Sequence, residues 1–190
     1  MRNSTLLSWL RPSTFAGLFV VALGAMPAFA EAPRAPAVQN PDLHQRLKEF
    51  RSQAFQLRSS AATLKSFTPN SRMSWQTHVY SLDTIREQIN DLGRKLAVLE
   101  TMNPEGNESH QMAIENARPH LVATAEELRE AIAMVNDNRR SVERQPYTET
   151  VDDLYNHAAS LYQTVDTILD YENARVRLER LELPTSAGGS

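Results

Sequence analysis

Five histidines, His44, His78, His110, His120 and His157, are the groups in this chain best suited to chemistry near neutral pH, and there is no cysteine beside them. Imidazole titrates near neutrality and is the commonest protein ligand for metal ions, so the spacing of these five residues decides which reactions are open. The missing sulfur excludes a disulfide scaffold, a thiol nucleophile, a zinc-thiolate site, an iron-sulfur cluster and covalently attached c-type haem.

Asp153 and His157 stand one helical turn apart, a spacing that clamps a metal ion if a third ligand arrives and that otherwise makes an ordinary surface ion pair. The ion pair is the favoured reading, and His78 is the best third ligand for the metal reading. His78, Tyr155 and His157 would line such a site. The simpler role for His78 is that of a core histidine hydrogen-bonded to a tyrosine or a backbone carbonyl. Glu172 follows an apolar run that ends at Ile168, and His44 with His110 or His120 can reach similar height on other helices. A mixed histidine and carboxylate site is conceivable there, but the surrounding charge favours a fraying helix end and a solvated carboxylate.

Other chemistry is not supported by the residues present. Di-iron bundles place Glu-x-x-His pairs on two helices, and none occurs. Non-covalent haem requires axial His or Met in the core, whereas Met73, Met102, Met112 and Met134 fall at helix ends or shoulders. The chain has no Gly-rich phosphate loop, no nucleophile elbow and no His-Glu-x-x-His. No cofactor and no enzymatic activity are therefore expected.

The elements that position these groups are helices. Trp75, His78, Leu82, Ile85, Ile89, Leu92, Leu96 and Leu99 recur in steps of three and four, which keeps them on one face of a helix. A first helix opens at Asn40-Pro41-Asp42, with an N-cap acceptor, proline at the first helical position and an acid near the positive end of the dipole. Its stripe is Leu43, Leu47, Phe50, Ala54, Leu57, Ala61 and Leu64, and it should stop before Pro69. A third helix is expected from Asn107 to about Arg144, with Ile114, Ala117, Leu121, Ala125, Leu128, Ile132, Val135 and Val142 inward and Thr124 and Ala131 on the shoulder. Pro119 should kink it or split off a short helix before Arg118. A fourth helix is expected from Thr148 or Thr150, with Val151, Leu154, Ala158, Leu161, Val165 and Ile168 inward and Tyr155, Tyr162 and Leu169 beside them.

Four such segments joined by short breaker-rich turns predict an all-α fold, an antiparallel up-down-up-down four-helix bundle over residues 41–183. Residues 1–30 read as a signal peptide, with Arg2 and Arg11 ahead of the apolar run Ala16 to Met26 and a small-x-small site that predicts cleavage after Ala30. Residues 31–40 read as a disordered Pro- and Ala-rich spacer and 184–190 as a flexible tail. The first thirty residues hold two of the twenty Lys and Arg and none of the twenty-three Asp and Glu, which leaves 18 basic against 23 acidic residues. A mildly acidic surface gives no electrostatic reason to bind nucleic acid or anionic lipid.

The expected protein is thus exported, periplasmic or extracellular, without a stable membrane anchor after cleavage. It would act as a non-catalytic interaction or structural module, binding another protein or itself through an outer face around Phe55, Trp75, Val79, Tyr80 and Val98. The alternative is a bundle that holds a small ligand or metal ion between its helices.

Overall fold

The structure, a computed structural model, describes residues 40–182. The expected signal peptide, the spacer as far as Gln39 and the tail over 184–190 lie outside the described residues. Four helices, and no strand among the described residues, make up the fold: α1 (Pro41–Phe67), α2 (Trp75–Met102), α3 (Glu108–Asp137) and α4 (Gln145–Glu182). Short 3-10 turns follow α2 over Asn103–Glu105 and α3 over Arg139–Glu143.

The helices α1, α2 and α3 each start where a side chain satisfies orphan amides. Asn40 Oδ1 accepts from the amides of Asp42 and Leu43, Ser74 Oγ from Thr77 and Asn107 Oδ1 from His110. Each such cap is worth about 1 kcal/mol relative to alanine. At the far end of α1, Thr68 hydrogen-bonds back to Lys65 and Pro69 prevents continuation.

The apolar stripes are buried as their spacing requires. Leu43, Phe50, Leu57 and Leu64 of α1, Ile85 and Leu92 of α2, and Val151, Leu154, Leu161 and Val165 of α4 have no exposed surface. The two helices α1 and α3 each pack on both α2 and α4, and scarcely touch one another. Each fully buried aliphatic side chain contributes roughly 1.5–3 kcal/mol, so this core dominates stability over any exposed ion pair.

Four details differ from the sequence reading. α3 is one continuous helix across Pro119, so the separate short helix before Arg118 is absent. Pro119 and Glu115, whose carbonyl loses its partner, both lie on the exposed side, where water can take the vacated bond. α3 ends at Asp137 and not near Arg144, because Asn138 leaves the helical region and its Oδ1 accepts from the amide of Arg140, which starts the 3-10 turn. α4 begins at Gln145, with Pro146 in its first turn, where a proline has no helical bond to lose. The inward stripe of α3 is also rotated, with Thr124 and Ala131 buried and Ala125 and Ile132 only partly so.

Candidate metal centre

Three helices meet around one buried carboxylate. On α4 the core positions Val165 and Leu169 are followed three residues later by Glu172, so the carboxylate continues the inward stripe. The first turn of α1 brings His44 to it and the first turn of α3 brings His110. Glu172 Oε2 lies 3.2 Å from His44 Nδ1 and 3.0 Å from His110 Nε2, and the two nitrogens are 3.4 Å apart. The side chains of His110 and Glu172 are 1% and 3% exposed, whereas His44 is 24% exposed, so the trio is closed toward the core and open past His44.

Asn107 holds this arrangement from behind. Its Oδ1 caps α3 by accepting from the amide of His110 at 2.9 Å, and its Nδ2 donates to Glu172 Oε1 at 2.6 Å. One side chain thereby fixes both the helix that carries His110 and the unused oxygen of the carboxylate. Asn40, the cap of α1, donates from Nδ2 to Glu105 Oε2 at 3.0 Å and ties the start of the His44 helix to the turn that precedes α3. Gly106 permits the close approach of that turn. A Cβ there would sit 2.8 Å from Leu43 Cδ2 and 3.1 Å from both Asn103 O and His110 Cβ, so a larger residue would displace the Leu43 side chain and crowd the turn.

The protonation states suit a cation. Burial by itself raises the Glu172 carboxyl, but the hydrogen bonds from His110 and Asn107, with the charges of His110 and His44, outweigh it and hold the group at about 2. Burial lowers the His44 imidazole, helped by Lys48 and His110 and opposed by Glu172. An ionised carboxylate and a neutral imidazole are the forms that bind metal ions. His110 Nδ1 is buried without a hydrogen-bond partner, which leaves this ring incompletely satisfied by the protein alone.

The three separations fit hydrogen bonds within a packing cluster and equally fit a ligand set. Ligands at about 2.0–2.1 Å from one ion are separated from each other by roughly 2.9–3.4 Å across an octahedral or tetrahedral edge. All three separations here, 3.0, 3.2 and 3.4 Å, fall in that interval. Two imidazoles and one carboxylate on one side of an ion leave its other side free.

Among the described residues, His44, His110 and Glu172 are the trio of His, Asp or Glu whose ligand atoms converge in this way. The solvated, frayed carboxylate expected from the local charge is corrected by this burial, because α4 remains helical through Glu172 and packs it against α1 and α3. His120, the other partner considered for Glu172, faces Ser160, Gln163, Thr164 and Thr167 instead.

The set His78, Asp153 and His157 is not brought together. His78 is buried and its Nδ1 lies 3.1 Å from the hydroxyl of Tyr147, with the ring of Phe67 edge-on beside it. The tyrosine partner is thus Tyr147 and not Tyr155, whose ring instead carries the Lys65 ammonium at 5.0 Å. The cleft that reaches His78 holds only about 140 Å³, less than the roughly 300 Å³ at which ligand pockets begin. Asp153 is exposed and His157 half-buried, and both act on Glu127 of α3. Burial first and Asp153 second raise the Glu127 carboxyl, and His157 lowers it.

Sequence reasoning missed Asn107 as a ligand-positioning residue and Tyr147 as a core residue. The signal for Asn107 was its place as a helix cap three residues ahead of a histidine. Tyr147 falls one residue before the earliest start that the sequence offers for the fourth helix, Thr148. Comparisons with protein-family models, with curated proteins and with solved structures found no match for this chain.

Proposed function

We propose that this chain is an exported metal-binding protein, an up-down-up-down antiparallel four-helix bundle with α3 bent at Pro119, that holds one divalent transition-metal ion on His44 Nδ1, His110 Nε2 and Glu172 Oε2. The observation that carries the reading is the convergence of these three atoms within 3.0–3.4 Å, two of them on buried side chains from separate helices. Two nitrogens and one oxygen suit zinc, cobalt, nickel or ferrous iron, and the lack of sulfur ligands disfavours cuprous copper.

Pairs along the helices support the antiparallel arrangement. α1 meets α4 through Lys65 and Asp152, Arg51 and Asp166, and His44 and Glu172, early residues of one helix matching late residues of the other. Lys95 with Glu49 joins α2 to α1, and Arg118 with Glu100 joins α3 to α2. Export rests on the leader-like composition of residues 1–30. Docking of a protein on the outer face is the second reading: Phe55, Tyr80 and Val98 are exposed there, while Trp75 and Val79 pack against the core and Phe55 meets Tyr162 edge-on beneath Arg58.

Titration of chelator-stripped protein with Zn2+ or Co2+ tests the reading. One ion should bind per chain, and His110→Gln or Glu172→Gln should weaken binding by at least about 100-fold, beyond the 10–100-fold typical of residues that only orient ligands. Circular dichroism of each variant checks that the helices persist. No saturable binding at micromolar protein would sink the proposal.

A further inference from the structure

The trio opens onto a cavity of about 410 Å³ between the start of α1 and the last turns of α4. Its wall contains Glu172 as the single carboxylate and Lys48, Arg177 and Arg180 as cations. The acids adjacent in sequence are directed elsewhere: Glu49 accepts from Gln45 and pairs with Lys95, and Glu179 pairs with Arg175. Among the described residues Lys48, Arg177 and Arg180 make no ion pair. Three cations facing one carboxylate would repel a bare metal ion, so their presence at the mouth is not explained by metal binding alone.

We propose that this cavity receives a small oxyanion, a phosphate or a carboxylate, that binds the free side of the metal ion with one oxygen and Lys48, Arg177 and Arg180 with the others. The inference rests on the metal reading given above and adds the class of ligand. A divalent ion neutralised by only one protein carboxylate keeps a net positive charge, and an anionic ligand removes it. Guanidinium groups present paired donors that match the planar edge of a carboxylate or two oxygens of a phosphate, and lysine adds a point charge. Gln45 and Asn173, also in the wall, supply further polar groups, and Pro41 and Val176 supply an apolar edge. The volume lies within the range of small-molecule pockets and above what one hydrated ion requires.

The test uses protein purified from a host that expresses the full chain, stripped of metal and reloaded with Co2+, whose visible bands report its coordination sphere. The Co2+ spectrum is recorded first in chloride buffer, before phosphate or acetate is added. Inorganic phosphate and acetate are then titrated separately. A saturable change of the Co2+ bands with either anion supports the proposal, and the anion that acts at lower concentration identifies the class. In a Lys48→Gln, Arg177→Gln, Arg180→Gln triple variant the same change should need at least about tenfold more anion, as expected when charge-assisted hydrogen bonds are removed. Unchanged bands with both anions overturn the anion proposal and leave metal binding intact. So does a triple variant that responds like the parent. If Co2+ itself yields no protein-dependent bands, the metal reading fails and the anion proposal falls with it.

Discussion

His78 and Tyr147 show what a buried polar pair does to stability. The imidazole is 2% exposed and the phenol has no exposed surface, so each is the hydrogen-bonding environment of the other. Tyr147→Phe should cost about 1–3 kcal/mol in chemical denaturation, because a buried nitrogen loses its partner while little volume changes. Burial lowers the His78 imidazole below its ordinary 6.5 and raises the Tyr147 phenol above its ordinary 10.0. A group depressed on folding stabilises above its unfolded value, so the His78 contribution is lost as pH falls below 6.5. A group raised on folding stabilises below its unfolded value, so the Tyr147 contribution is lost as pH rises above 10.0. Melting temperature against pH should therefore decline on both sides, and Tyr147→Phe should flatten the alkaline side. An unchanged alkaline decline in that variant would count against the assignment.

At the scale of the element, period and punctuation account for most of what is observed. The α2 stripe from His78 to Leu99 is buried at every position named from its spacing except Trp75, which packs at the edge under the Arg139 guanidinium. Ile89→Ala should cost about 2–5 kcal/mol by removing methyl groups from a close-packed core, read as a fall in the denaturation midpoint with unchanged slope. A loss under about 0.5 kcal/mol would place Ile89 among surface positions. The stripes of α3 and α4 were legible less well. Thr124 and Ala131 face inward in place of Ala125 and Ile132, and Leu169 is more deeply buried than Ile168. In both helices two adjacent residues are plausible core members by spacing, and only the neighbouring helices select the rotation. Thr124 meets burial by returning its hydroxyl to the carbonyl of His120 at 2.7 Å.

At the scale of the molecule, the proposed ion would fasten three helices at a single end. Because the ligands come from α1, α3 and α4, the site exists only when these are docked, and binding energy becomes folding energy. Zn2+ at 100 times its dissociation constant should raise stability by about 2.7 kcal/mol, visible as an upward shift of the melting transition. The same addition should leave Glu172→Gln where it was. A shift of equal size in both proteins would assign the effect to binding elsewhere. The pairs Arg51 with Asp166 and Lys65 with Asp152 run along the same α1–α4 seam, but they are solvated and contribute little beside the core.

The amino-acid sequence by itself determined that the chain forms four helices, where α1 and α2 begin and end and roughly which side of each helix turns inward, because helical period, capping residues and prolines act over one or two turns. It also contained His44, His110 and Glu172, but gave no measure of their separation. His110 and Glu172 stand 66 and 128 positions from His44 along the chain, and a carboxylate at a core position reads as a frayed end until its partners are known. Axial height and rotation of each helix are set by side-chain packing between helices, and that packing turns Glu172, an apparent interruption of α4, into the centre of the candidate site. The same reason explains why Asp153, His157 and His78, attractive by spacing, remain apart: one turn of α4 can pair Asp153 with His157, but α2 sets His78 against Tyr147 instead.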